Sequence, residues 1–187
     1  GPEVVRQTIG SATGYPELIV LDSTVPEWID SVAAVIDPSR TLFLVSSKSG
    51  GTVEPNSFYR HFRTLVDQAV GNQAAGKSFA AITDPGTSLE ELARSEGFRR
   101  VFSNPGDIGG RYSVLSYFGL VPAALIGVDL AKLLHRADCM REGCASFVAA
   151  DDNPGAFLGA AMATVAQAGR DKLTVVTSPS FGSFGQW

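Results

Sequence analysis

Several hydroxyls, one lysine and two glycines stand together in Ser46-Ser47-Lys48-Ser49-Gly50-Gly51-Thr52-Val53-Glu54. Hydroxyl and backbone N–H groups donate hydrogen bonds, and glycine lets a backbone approach a ligand closely, so this composition suits a phosphate. The flanks strengthen that reading. Residues 41–45 form an unbroken apolar run, as in a strand buried on both faces of a parallel sheet. Residues 53–70 carry Phe58, Phe62, Leu65, Val66 and Ala69 at spacings of three and four, which predicts a helix. The polar loop therefore lies between a strand's carboxyl end and a helix's amino end, where free N–H groups and the positive end of the helix dipole meet. Ser47, Ser49 and Thr52 are the candidate phosphate donors, with Gly50 and Gly51 shaping the loop. Read locally, the stretch also fits an ordinary Ser/Gly turn. It is not a Walker loop, because Lys48 precedes the glycines.

A second glycine-rich loop, Ser103-Asn104-Pro105-Gly106-Asp107-Ile108-Gly109-Gly110-Arg111-Tyr112-Ser113, follows another short apolar segment at 99–102. The elements that must hold these loops alternate along the chain. Helices are expected at 3–9, 27–36, 53–70 and 88–96, and strands at 17–21, 41–45, 78–83 and 99–102. Asp22, Ser23 and Thr24 offer caps ahead of Pro26, and Ser88-Leu89-Glu90-Glu91 reads as a capping signature. Alternation of this kind means an α/β fold with a parallel sheet covered on both faces, and with ligands at the carboxyl ends of the strands. Two loops at that edge can face one ligand. Beyond them the pattern predicts a buried, interrupted helix over 113–126 containing Pro122 and an amphipathic helix over 130–149. A small-residue helix suited to tight packing follows at 156–168, then a last strand at 172–177 and a tail with exposed-looking aromatics.

Composition bounds the possibilities. At 187 residues, with 44% hydrophobic and 18% charged residues, the chain fits one soluble globular domain. A net charge of -4 offers no basic surface for nucleic acid. No apolar run is long enough for a bilayer, and the N-terminus has no signal-peptide pattern, so the expected location is cytoplasmic. Cys139 and Cys144, with His135 one turn before Cys139, fall short of the four ligands that zinc usually takes, and read as reduced structural thiols. No metal and no cofactor is expected. His61, beside Arg60 and Arg63, reads as a surface residue.

The two loops together resemble glucose-6-phosphate isomerase (phosphoglucose isomerase), whose sugar isomerase (SIS) domains bind phosphosugars. The resemblance rests on Ser46-Ser47-Lys48-Ser49-Gly50-Gly51-Thr52-Val53-Glu54 and on Gly109-Gly110-Arg111-Tyr112-Ser113-Val114-Leu115-Ser116, in this order and separated by two βα units. Leu21-Asp22-Ser23-Thr24, Asn153-Pro154-Gly155, Asp171-Lys172-Leu173-Thr174 and Ser178-Pro179-Ser180 look more like the isomerase half of bifunctional transaldolase/glucose-6-phosphate isomerases. The resemblance implies a three-layer αβα, SIS-type (flavodoxin-like), mostly parallel sheet with the family's first strand missing. Residues 1–170 would be a first SIS domain, incomplete at its N-terminus, and residues 171–187 the start of a second. In the family a strand and a Gly-Met-Gly-Gly-Ser-Ser-Leu segment precede a Gly-Pro-Glu-Val sequence, and this chain begins at Gly1-Pro2-Glu3-Val4. The apolar segment Leu173–Thr177 is expected to take the vacant strand position or to pair with another copy.

Carried over residue by residue, the resemblance makes Ser47, Ser49 and Thr52 phosphate-binding hydroxyls, helped by the Lys48 backbone and by Gly50 and Gly51. Gly109 and Gly110 line the substrate loop, and Arg111 stabilises the enediolate formed between glucose 6-phosphate and fructose 6-phosphate. The family's catalytic base, a glutamate in a Glu-Ser-Thr-Gly-Lys-like segment, and its ring-opening histidine and lysine have no counterpart here. Glu54 is better suited to the start of a helix. The implied partners are phosphosugars, with no nucleic acid or membrane, and a homo-oligomeric parent is compatible with the resemblance; the isolated chain is expected to be inactive. A non-catalytic SIS-type sugar-phosphate sensor is the alternative, against which Arg111 speaks because simple phosphate binding does not need it. An unrelated dinucleotide-binding domain would need a Gly-x-Gly-x-x-Gly fingerprint that is absent after the first available strand.

Overall fold

The computed structural model describes residues 1–186. Its centre is a parallel sheet of β1 (Phe43–Ser46), β2 (Phe79–Thr83) and β3 (Arg100–Ser103), in that spatial order. Phe43 pairs with Phe79, and Ala80 with Arg100. All five residues of β2 are buried, which is why its sequence lacks any polar alternation. Because the strands are parallel and in register, their carboxyl ends lie along one edge.

Side chains alternate across the sheet. On one face Phe43, Val45, Phe79, Ala81 and Val101 pack with residues from α3 (Val53–Val70) and α5 (Ser88–Ser95), namely Tyr59, Val66, Leu89 and Ala93. The Phe79 ring stacks on Phe43 at 5.0 Å and meets Tyr59 edge-on at 5.2 Å. Each fully buried large apolar side chain contributes about 1.5–3 kcal/mol, so this cluster anchors both helices that begin at the carboxyl edge. Arg63 reinforces it, with Nε on Asp67 at 2.8 Å and Nη1 on the Glu96 carboxylate at 2.6 Å. Across the sheet, Phe102 meets Tyr117 of α6 (Tyr117–Leu125) at 5.7 Å. A second cluster joins Val5 of α1 (Pro2–Thr8) to Ala123 and Ile126. The α/β expectation, with a parallel sheet between helices, therefore holds.

α2 (Pro26–Val35) and the short α4 (Asn72–Ala75) complete the first half of the chain. α7 (Leu130–Gly143) and α8 (Pro154–Gln167) follow α6. No helix among the described residues is long and apolar enough to cross a membrane.

Two expected strands do not form. Residues 17–21 run without a ladder partner, and Leu18 packs instead into the cluster of Val5, Ala123 and Ile126. Residues 172–177 are likewise unpaired, with Leu173 69% and Val176 89% exposed. Leu173–Thr177 thus takes no strand position in the sheet. An apolar run becomes a strand only when a partner satisfies its N–H and C=O groups, and neither segment lies against one.

Other departures are smaller. α2 is not capped by Asp22, Ser23 or Thr24; its N-cap is Val25, whose N–H reaches Ser23 Oγ at 3.4 Å. The α5 cap lies one residue earlier than the sequence suggests, at Thr87, which accepts from the Glu90 N–H. The break in 113–126 falls at Ser116, between the 3-10 helix Gly110–Leu115 and α6, while Pro122 is accommodated inside α6. α7 stops at Gly143, short of residue 149. α8, expected to pack tightly, is exposed along its length. The tail is not a loose end: the 3-10 helix Pro179–Gln186 lies against α1, with Thr8 Oγ1 and Ser183 Oγ 3.2 Å apart. Trp187 lies outside the described residues.

Candidate functional site

The carboxyl edge carries three loops, 47–52 after β1, 84–87 after β2 and 104–109 after β3. The first is tied down by its own polar groups. Ser47 N–H donates to Ile82 O at 3.1 Å, extending the β1–β2 ladder by one step. Its side chain is turned inward: Ser47 is 5% exposed, its Oγ accepts from the Gly50 N–H at 3.1 Å, and it lies 2.9 Å from Thr52 Oγ1. Ser49 and Thr52 are exposed. Of the three predicted hydroxyls, Ser47 braces the loop from within, and Ser49 and Thr52 stand at its surface.

Gly50 has φ +71°, in the left-handed region that favours glycine. A Cβ there would also lie 2.8 Å from Thr87 Cβ and 2.9 Å from Leu89 N. The glycine is therefore required by the close approach of the loop to the start of α5. Its carbonyl accepts from Ser88 Oγ at 3.2 Å and from Asn56 Nδ2 at 3.3 Å. Gly51 has open space where a Cβ would stand.

α3 begins at this loop with Thr52 as N-cap and no side-chain cap. Pro55, third in the helix, has no N–H, and the Asn56 N–H already reaches Thr52 O at 3.4 Å. Among the described residues, the N–H groups of Val53 and Glu54 thus remain as the open donors of the first turn, beside Thr52, an exposed residue whose hydroxyl lies 2.9 Å from Ser47 Oγ. Glu54 sits in that turn, where its charge favours the helix dipole.

The second loop is fixed at its root by Asn104, which is 1% exposed. Its N–H donates to Thr83 O at 2.7 Å and its Oδ1 accepts from the Tyr117 N–H at 3.2 Å, binding β2, the loop and α6 together. Gly109 precedes the 3-10 helix Gly110–Leu115, in which Ser113 Oγ donates to Gly110 O at 2.6 Å. Neither Gly109 nor Gly110 adopts a positive φ. Gly119, by contrast, is demanded by packing, since a Cβ would meet Val114 O at 2.0 Å. Arg111 is exposed and makes no ion pair among the described residues.

Lys48 connects the loops. Its ammonium pairs with the Asp84 carboxylate and donates to Gly106 O at 3.0 Å, five residues before Arg111. The main chain follows, with the Asp84 N–H on Lys48 O at 3.2 Å. Sequence reasoning put the Lys48 backbone in the site but missed Asp84, Asn56 and Asn104. Asp84 opens the turn-forming sequence Asp84-Pro85-Gly86, and nothing local tells a turn aspartate from one that meets a lysine 36 residues earlier.

Other polar groups lie elsewhere. His61 is exposed and stands edge-on to Phe62 at 5.0 Å. His135 Nε2 and Cys139 Sγ are 3.8 Å apart on the exposed side of α7, and no metal-binding group of three His, Cys, Asp or Glu occurs among the described residues. An open groove between α1, residues 17–22 and α2, lined by Arg6, Glu17, Ile19, Trp28 and Val35, includes none of the loop residues.

Residues 1–168 match the family described as phosphoglucose isomerase. The chain is 36% identical over 183 residues to the glucose-6-phosphate isomerase of Synechococcus sp. (strain JA-2-3B'a(2-13)), a match covering 94% of this chain and 33% of that protein. It is 29% identical over 187 residues to the glucose-6-phosphate isomerase of Staphylococcus saprophyticus, covering 99% and 42%. Among solved structures, a hypothetical protein from Thermus thermophilus superposes with a TM-score of 0.80 at 27% identity, over 87% of this chain and 38% of that one. A glucose-6-phosphate isomerase from Chlamydia trachomatis gives a TM-score of 0.67 at 25% identity, over 77% and 28%. The chain thus spans 33% to 42% of the length of these two curated relatives.

Proposed function

Because this chain belongs to the phosphoglucose isomerase family, we propose that it holds the phosphate of a hexose 6-phosphate at residues 47–52 and serves the interconversion of glucose 6-phosphate and fructose 6-phosphate. The observation that carries this reading is the uncapped start of α3 at the same sheet edge as the loop bearing Arg111. The open N–H groups of Val53 and Glu54, with the Ser49 and Thr52 hydroxyls, suit a dianion at a helix N-terminus. Gly51 leaves the approach clear.

Isomerisation moves one proton between C2 and C1 through an enediolate, and negative charge develops on oxygen as the C–H bond breaks. A fixed guanidinium beside that oxygen stabilises the charge where it forms. Arg111 takes this role, and Gly109 and Gly110 keep its loop free of side chains. The proton-transferring base is assigned to no residue of this chain, since Glu54 belongs to the first turn of α3. The 187-residue chain by itself is therefore a binder without turnover. Leu21-Asp22-Ser23-Thr24 and Asn153-Pro154-Gly155 favour the bifunctional transaldolase/isomerase branch of the family.

The test is a titration of the 187-residue chain with glucose 6-phosphate and, separately, glucose, followed at the backbone amides of residues 47–54. Glucose 6-phosphate shifts these amides and glucose does not. Ser49→Ala with Thr52→Ala weakens binding roughly tenfold or more, as the loss of two hydrogen bonds to a charged group implies. Amides that respond equally to both sugars, or to neither, overturn the reading.

A further inference from the structure

Lys48 is the one cation of the first loop, and its ammonium is turned onto Asp84 and Gly106. Its side chain is 36% exposed and that of Asp84 only 16%. Asp84 Oδ1 is buried with no hydrogen-bond partner among the described residues, so the Lys48 ammonium is what offsets the carboxylate's charge. Leaving a mostly buried carboxylate oxygen without a hydrogen-bond partner costs stability, and removing its ion-pair partner costs more. Lys48, Asp84 and Gly106 together join three separate loops. Asp84 opens the loop after β2, Lys48 belongs to the loop after β1, and Gly106 lies in the loop after β3. A Cβ on Gly106 would lie 3.9 Å from Asp84 Oδ2, so the carboxylate stands on the side of that glycine where a side chain would begin.

We infer that Lys48 and Asp84 form a strut that sets the distance between the phosphate loop at 47–52 and the Arg111 loop. Lys48 and Asp84 are thus positioning residues, and the Lys48 ammonium is not a phosphate ligand. The inference rests on the phosphate reading of residues 47–52 and adds a specificity device to it. The phosphate loop is also held by Ser47, Gly50 and Asn56, so it keeps its shape without the strut. The 106–111 stretch has fewer ties: the lysine on Gly106, the Ile108 N–H on Pro105 O at 3.4 Å, and the start of the 3-10 helix. A ligand that touches only the phosphate loop does not sense the strut. A ligand that spans both loops does.

The experiment compares the 187-residue chain with Asp84→Ala, Asp84→Asn and the double variant Lys48→Met/Asp84→Ala, using inorganic phosphate and glucose 6-phosphate as probes. Lys48→Met alone strands the Asp84 carboxylate and can unfold the edge, which is why the double variant replaces it. Asp84→Ala and the double variant weaken glucose 6-phosphate binding about tenfold, roughly the loss of one charge-assisted contact, and Asp84→Ala leaves inorganic phosphate binding within about twofold of wild type. Asp84→Asn, which keeps an acceptor oxygen for the ammonium, recovers most of the loss. Without ligand, Asp84→Ala broadens the amide signals of residues 106–111 and leaves those of β2 unchanged. Equal weakening of both probes by Asp84→Ala overturns the strut, and so does a double variant that loses inorganic phosphate binding where Asp84→Ala keeps it, which makes Lys48 a phosphate ligand. A variant that binds both as wild type does, or unaltered amides at 106–111, also overturns the strut. If the wild-type chain binds neither probe, the phosphate reading fails by itself, and the ligand-free amides still decide the strut.

Discussion

Arg111 is exposed and makes no ion pair with a carboxylate among the described residues, on a short 3-10 helix that starts at Gly110. A guanidinium in that state is available to a ligand. In a polypeptide of family length carrying this segment, Arg111→Ala lowers kcat roughly a hundredfold or more, while KM moves by less than about threefold. Arg111→Lys does not restore turnover, because a point charge lacks the planar fork. Steady-state kinetics decide it, and an unchanged kcat removes Arg111 from the chemistry. The exposure of Ser49 and Thr52 was legible, because they stand in a polar loop between an apolar strand and a helix. The inward turn of Ser47 was not, since it depends on where the Gly50 N–H points once α5 has pushed the loop into shape.

The loop is only as well placed as the start of α5. Thr87 Oγ1 accepts from the Glu90 N–H at 3.3 Å and lies 2.7 Å from Thr83 Oγ1, while the Glu90 carboxylate accepts from the Gly86 N–H at 2.6 Å. The Arg94 guanidinium, and after it the Gly86 N–H, hold the Glu90 carboxyl below its ordinary value. A depressed carboxyl stabilises the fold above its unfolded value and loses that contribution as pH falls through the folded one. Amide exchange at residues 86–90, corrected for its intrinsic pH dependence, therefore quickens as pH falls below the ordinary glutamate value of about 4.3. Glu90→Gln abolishes most of that dependence; an identical acid profile in the variant would falsify the assignment. Sequence located α3 by an apolar stripe at helical spacing and α5 by a capping signature. It misplaced the cap of α5 by one residue because Thr87 and Ser88 each have a glutamate three residues on, and only the loop beside them chose.

Across the whole molecule, packing is uneven. The sheet, α3 and α5 share one buried cluster, whereas α8 exposes Phe157, Leu158, Met162 and Val165 at 41% to 67%. In the 187-residue chain, hydrogen exchange in β2 is slower than in α8 by roughly a thousandfold or more, since few tertiary contacts oppose local opening of α8. Comparable protection of the two, measured at low protein concentration, would mean that α8 is held by contacts the structure does not contain. The sequence by itself determined the parallel βαβα order at the carboxyl edge, the two glycine-rich loops and the helices behind them. Those features depend on spacing, turn chemistry and side-chain type, all local. Only the tertiary structure decided that residues 17–21 and 172–177 stay out of the sheet, because strand formation needs a partner at hydrogen-bonding distance. It also decided that Lys48 reaches across to Asp84 and Gly106. A salt bridge between residues 36 apart exists only after parallel strands have brought their carboxyl ends to one edge.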